Sequence, residues 1–215
     1  LTLLCYFVIA PRARNKGLPN IILLIASLIF YSWGEGQYII LLLISIAANY
    51  YFGILIARSI AVNLSLCNRN IGRDLVIFIA IAFNLILLAY FKYANFLVEN
   101  INQLLAIFGD YEISLNKVHL PIGISFFTFH AISYLVDIYR QKCQPQKNFL
   151  NLALYISFFP QLVAGPIVRY NFIEKYLSKR RYNFFFVSYG VRRIIIGLGK
   201  KVIIANPLGE MADVI

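Results

Sequence analysis

Between Leu120 and Gln141 the chain reads LPIGISFFTFHAISYLVDIYRQ, an apolar stretch long enough to cross a bilayer that still holds His130, Tyr134 and Asp137. On a wheel of 3.6 residues per turn, Gly123, Phe127, His130, Ser133, Tyr134 and Asp137 fall on one side. Ile124, Thr128, Ala131, Ile132, Leu135 and Ile138 fall on the other. Ionisable groups within a span are costly in hydrocarbon, so the polar side must face a bundle interior or an aqueous path. An imidazole near mid-span is suited to proton transfer at neutral pH. Asp137 lies two turns further, about 10 Å along the axis, out of its direct reach. Ser133 and Tyr134, three and four residues on, are within reach. Two readings stand. In one, His130 is a packed, neutral imidazole satisfied by a neighbouring helix. In the other, Gly123, Ser125, Phe127, His130, Ser133, Tyr134 and Asp137 line a channel that admits a hydrophilic substrate, and His130 assists proton transfer.

These groups need an enclosure, and the composition says of what kind. The chain has 215 residues, 60% hydrophobic and 13% charged, with mean hydropathy +0.73. That is too little charge to cover a soluble core, so several runs must face lipid. Leu1–Ala10 reads as the tail of a helix. Leu18–Trp33, ending in the aromatic pair Tyr31 and Trp33, reads as a span. The GEGQ tetrapeptide reads as a tight turn, Gln37–Ala57 and Leu75–Phe91 as further spans, and Pro121 to about Tyr139 as the fifth. Between them, Leu97, Ile101, Leu104, Leu105 and Phe108 recur at helical spacing among polar residues, predicting an interfacial amphipathic helix within 94–120. The whole is an all-α, polytopic transmembrane bundle.

The formal charge is +11. The basic residues sit between apolar runs, a placement that points to topology and anionic lipid rather than to nucleic acid. Loops 11–17, 58–73 and 140–148 each carry three Lys or Arg, whereas 34–36 carries none. The three basic loops are therefore expected on the cytoplasmic face. The stretch NFLNLALYISFFPQLVAGPIVRY breaks the alternation: its apolar part, 149–164, contains Pro160 and is followed by five basic residues from Arg169 to Arg181. A re-entrant or broken helix returning to the cytoplasmic face resolves this, because irregular backbone is tolerated where protein packs around it. The alternative is a kinked ordinary span. In Asn183–Ala205, Arg192, Arg193, Lys200 and Lys201 share one helical face and Val191, Ile194, Ile195, Leu198 and Val202 the other, as in a helix lying at the interface. Its cations suit lipid headgroups or a phosphate-bearing donor, as do Arg140 and Arg169. Cys5, Cys67 and Cys143 have no metal-like or paired spacing, and no metal site is expected.

The block LPIGISFFTFHAISYLVDIYR followed by ALYISFFPQLVAGPIVRY resembles the membrane-bound O-acyltransferase superfamily, most of all its bacterial alginate O-acetyltransferase branch. LLIASLIFYSWGEGQY, FNLILLAYFKYANF and GLGKKVIIANPL fit the same branch. The resemblance implies a multi-pass enzyme of the inner or plasma membrane with a tunnel between cytoplasmic donor and acceptor. The implied donor is acetyl-CoA, with no bound cofactor. The implied partners are the lipid bilayer, an extracytoplasmic acetyl-accepting protein and an exported polysaccharide such as alginate. D-alanyl transfer to teichoic acid on the same fold, or a transporter or channel without acyl transfer, are the rival expectations. The family's essential histidine lies in a later WRRWHISL-like segment and a further membrane helix. Neither His119 nor His130 matches those positions, so 1–215 is expected to be the N-terminal portion of a single membrane domain, open at both ends. The matched blocks then imply tunnel and scaffold: Pro121, Gly123, Ser125, His130, Tyr134, Asp137 and Arg140, with Pro160, Gln161, Gly165, Pro166 and Arg169. Gln161 is expected to hydrogen-bond a buried carbonyl.

Overall fold

The computed structural model describes residues 2, 6, 17–66, 71–108, 113–114, 116–163, 165–178 and 183–213; for 61–66, 71, 108, 178 and 213 this concerns the backbone alone. The expected first span, Leu1–Ala10, and the cysteines at 5 and 67 therefore lie essentially outside the described residues. Every regular element among the described residues is helical: α1 (Leu18–Glu35), a 3-10 turn (Gly36–Tyr38), α2 (Ile39–Leu66), α3 (Ile71–Phe108), α4 (Ile124–Tyr139), α5 (Phe149–Ser157), α6 (Phe159–Leu162), α7 (Tyr170–Ser178), α8 (Phe184–Lys200), a π-helical turn (Lys201–Ala205) and α9 (Asn206–Asp213). The chain divides into two compact units, Leu1–Ser178 and Lys179–Ile215.

In the first unit, α1 begins with Pro19 in its first turn, where the missing N–H costs nothing. Gly36 adopts φ 53°, ψ −111° and ends it. The chain reverses there, so the apolar stretch Leu18–Ile60 is a hairpin rather than one rod. Side-chain pairs fix the levels. Asn20 of α1 reaches Asn151, and Tyr50 of α2 donates to the carbonyl of Lys147 at 2.9 Å. At the opposite end the Glu35 carboxylate accepts from the amide of Ile122, at the approach to α4. Asn49 and Asn84 exchange amide hydrogen bonds of 3.1 and 2.8 Å and join α2 to α3 inside the bundle. Tyr139, at the far end of α4, donates to Asp74 in the first turn of α3. The N-termini of α1 and α3 and the C-termini of α2 and α4 thus lie at one end.

The outward faces are apolar. Ile25, Ile29, Phe30 and Trp33 of α1 and Phe78, Ile86 and Phe96 of α3 are exposed. Such continuous apolar surface suits lipid, and this is an all-α membrane protein. One element differs from expectation. α3 runs without interruption from Ile71 to Phe108, roughly 57 Å at 1.5 Å per residue, so the amphipathic repeat after Ala94 continues a long helix instead of starting a separate one. The reason is local: no Gly or Pro stands between Gly72 and Gly109, and Asn95 and Asn102 bind the returning strand-like chain at Val118 and Ile113 without bending the helix.

The 149–178 region is a broken, returning segment. α5 has nine residues, about 14 Å, too short to cross hydrocarbon. Pro160 would clash with the carbonyl four residues back, so α5 stops at Ser157 and a four-residue α6 restarts after Phe158. The amide of Phe159, freed at the break, donates to Ser27 Oγ of α1 at 3.2 Å, which keeps a broken backbone satisfied in apolar surroundings. Both ends of the segment meet at Asn20, whose Nδ2 donates to Asn151 Oδ1 (2.8 Å) and to the carbonyl of Leu177 (2.9 Å). Gln146 just before α5 also donates to the Tyr170 hydroxyl opening α7, at 2.8 Å. The segment enters and leaves at the same level. The second unit is an exposed α8 capped by Asn183, whose Oδ1 accepts from Phe185 N at 3.0 Å, leading through the π turn into α9.

Candidate functional site

α4 lies at the centre of the first unit, packed against α2, α3, α5, α6 and α7. It starts after Gly123, whose φ of 76° is left-handed. A Cβ there would also run into the carbonyl oxygen of Leu162, so only glycine serves. Both sides of α4 are buried: Phe127, His130, Tyr134 and Asp137 on the polar side, and Ile124, Thr128, Ala131, Leu135 and Ile138 on the other. Ser133 is half-buried and Ser125 likewise.

The polar side is organised by aromatic rings. The His130 imidazole stands edge-on to Tyr155 of α5 at 5.5 Å, Tyr134 edge-on to Tyr170 of α7 at 4.9 Å, and Tyr155 to Tyr170 at 5.1 Å. His130 Nδ1 donates to the carbonyl of Phe126 at 2.9 Å. That bond assigns the proton of a neutral ring to Nδ1 and leaves a lone pair on Nε2. Nε2 is buried and has no hydrogen-bond partner among the described residues, and the same holds for Gln161 Oε1 and Thr128 Oγ1. The Tyr134 hydroxyl accepts from the amide of Gln146 at 3.1 Å, and Tyr155 donates to the carbonyl of Val168 at 2.8 Å. Asp137 sits 3.4 Å from the amide of Asn171, in the first turn of α7, where a carboxylate complements the positive end of a helix.

The structure therefore gathers Phe127, His130, Ser133, Tyr134 and Asp137 against the returning segment, with Gly123 beside α6 at the other end of α4. Their enclosure is by α5–α7. Arg140 belongs to a different place, the cavity it shares with Arg73 and Lys142. Arg169 is exposed just before α7. Arg192, Arg193, Lys200 and Lys201 belong to the second unit, where Arg193 lies 5.7 Å from the ring of Tyr189. Just beyond α4, Cys143 is buried and free. Burial, and after it the charges of Asp137 and Glu174, push its thiol up to about 12.

Comparison with known proteins decides the lineage. The probable alginate O-acetylase AlgI of Pseudomonas aeruginosa is 34% identical over 208 residues, covering 97% of this chain and 38% of that protein. AlgI of Pseudomonas putida is 33% identical over 208 residues. A peptidoglycan O-acetyltransferase of Helicobacter pylori is 32% identical, again over 97% of this chain and 42% of its own length. These homologues, matched over 97% of this chain, are of the membrane-bound O-acyltransferase type. It spans about two fifths of the length of the curated relatives it matches. No family profile matches it, and no solved structure does.

Some polar groups of this chain escaped sequence reasoning. Glu35, read as part of a tight turn, is buried at 8% exposure. Its carboxylate accepts from His119 Nε2 at 3.1 Å and from Ile122 N at 2.9 Å, tying α1 to the start of α4. The signal was a lone acid in a stretch without a basic partner. Tyr155 and Tyr170 were missed because aromatic residues are common in apolar runs; only the fold shows that they cluster on His130 and Tyr134. The Asn49–Asn84 pair went unread as well, although two amides inside spans must in lipid find each other or another partner.

Proposed function

We propose that the full-length protein is a multi-pass O-acetyltransferase of the cell membrane. It takes an acetyl group from cytoplasmic acetyl-CoA and passes it across the membrane for O-acetylation of an exported glycan such as alginate. An extracytoplasmic protein receives the acetyl group on the far side. The observation that carries this reading is the polar side of α4, enclosed by a returning segment, in a chain 34% identical to an alginate O-acetylase. The levels of the described helices support the topology: Arg73 of α3 and Arg140 and Lys142 after α4 share one end, in line with the positive-inside tendency.

The transfer joins the acyl carbonyl carbon to an acceptor hydroxyl oxygen, breaks the carbon–sulfur bond of the thioester and leaves a free thiol. A neutral histidine takes the hydroxyl proton as the bond forms and gives a proton to the departing sulfur. The family resemblance places the essential histidine outside these residues. What this chain supplies is the wall. Gly123 and the broken α5–α6 pair set the position of α4. Tyr155 and Tyr170 pack edge-on against His130 and Tyr134, and a narrow passage that restricts water favours acyl transfer over hydrolysis. His130 Nε2, buried and without a hydrogen-bond partner among the described residues, has a lone pair able to accept a proton.

Deleting the gene and restoring the full-length protein tests the activity. Acetyl ester on the exported glycan falls on deletion and returns on restoration; an unchanged level overturns the reading for that glycan. The relative that acts on peptidoglycan makes cell-wall glycan the second acceptor to assay. Mass measurement of the released acyl group separates acetyl from alanyl transfer.

A further inference from the structure

At the end of the bundle where α3 begins and α4 ends, Arg73, Tyr139, Arg140, Gln141 and Lys142 line a cavity of about 450 Å³. Three of its five lining residues are cations, and none is a carboxylate. Arg73 stands in the first turn of α3, the end that already carries the positive pole of the helix, an unfavourable place for a cation unless an anion joins it. Its guanidinium lies over the Tyr139 ring, 4.2 Å from the centroid, which fixes its plane. The Arg73 Nε is buried without a hydrogen-bond partner, 3.9 Å from Asp74 Oδ1. Asp74 is the one acid in that turn, and its Oδ1, facing Arg73 Nε, is shared with the Tyr139 hydroxyl, from which it accepts at 2.7 Å.

The opposite wall is the end of α4. The amide of Gln141 bonds the carbonyl of Ile138 at 2.8 Å and that of Lys142 the carbonyl of Asp137 at 2.9 Å, a Schellman closure. Glycine is the usual residue at its left-handed position, yet here it is Gln141, at φ 57°. Gln141 lines the cavity together with its neighbours Arg140 and Lys142. A planar guanidinium, a carboxamide and an ammonium around an open hollow match a tetrahedral oxyanion.

We propose that this cavity is a binding site for a phosphate ester. It is separate from the polar side of α4 and does not depend on acyl transfer. Two sources carry this same chemistry, an anionic lipid headgroup and a soluble phosphate compound. The test uses purified full-length protein in neutral detergent, with phosphatidylglycerol, phosphatidylcholine and inorganic pyrophosphate as probes and bound probe counted by native mass spectrometry. Variants are Arg140→Gln/Lys142→Gln, both at exposed positions and expected to fold as the parent, and Arg73→Lys, which keeps charge but loses the fork. All are also measured with Lys200→Gln/Lys201→Gln, so that the basic face of the second unit does not mask a change. Preferential binding of phosphatidylglycerol over phosphatidylcholine, weakened about tenfold or more in the double variant, assigns a lipid phosphate. Pyrophosphate binding weakened in the same way, without a lipid preference, assigns a soluble one. Equal binding by parent and double variant, or no binding of either anionic probe, overturns the proposal.

Discussion

Tyr134 shows how tightly single residues are set around α4. Its ring lies under Gly53 of α2, and a Cβ at 53 would stand 2.6 Å from the tyrosine oxygen and 2.9 Å from the ring. Gly53→Ala is therefore expected to destabilise by about 1–3 kcal/mol, the range for forcing extra atoms into a packed interior. Unfolding titration in mixed micelles measures it. Adding Tyr134→Phe removes the nearest atom and is expected to recover part of the loss, since the two sites are in contact and should not be additive. Cys143 gives a pH-dependent expectation. Its ordinary value is 9.0 and burial raises it to about 12, so the folded thiol stays protonated where the unfolded thiol ionises. The unfolded chain then holds fewer protons above about pH 9, and stability falls as pH rises from there toward 12. Below pH 9 the residue contributes no pH dependence. Thiol reagents at pH 8 should modify a protein with Cys143 as its sole cysteine only after unfolding.

At the scale of elements, the returning segment is the most consequential piece. Asn20 holds its two ends with one side-chain amide. Asn20→Leu leaves the carbonyl of Leu177 without this donor and costs about 1–3 kcal/mol. The more direct check is sidedness. Single cysteines at 148 and 172 in a cysteine-free background are expected to react with an impermeant reagent from the same side of the membrane; opposite sides would mean a crossing. Much of this was legible. Pro160, the short apolar run and the basic residues on both flanks already pointed to a break and a return, with a kinked span as the alternative. The length of α3 was not legible, because an amphipathic repeat reads the same whether it begins a helix or continues one. The burial of the apolar side of α4 was likewise hidden: Ile, Ala and Leu serve lipid and protein neighbours equally well.

For the whole molecule, the proposed passage along α4 predicts water access in the complete enzyme. Single cysteines at 130, 134 and 137 in the full-length protein are expected to react with a small aqueous thiol reagent. Inaccessibility at all three would leave His130 as a packed imidazole and Asp137 as a cap for α7. The exposed apolar face of α8, with Ile194, Ile195 and Leu198 at 64%, 65% and 60% exposure, is the counterpart in the second unit.

The sequence by itself determined that the protein is helical, lives in lipid, breaks at Pro160 and hides a polar side between Pro121 and Arg140. Hydrophobic length, proline geometry and the cost of polar groups in hydrocarbon are local properties, readable one segment at a time. Only the tertiary structure decided what those polar groups meet. His130 meets Tyr155, Asp137 the start of α7, and Glu35 the approach to α4. Arg73 and Arg140 come from different helices to one cavity. Such partners lie tens of residues away along the chain, and contact between them depends on how whole helices pack, which no periodicity encodes.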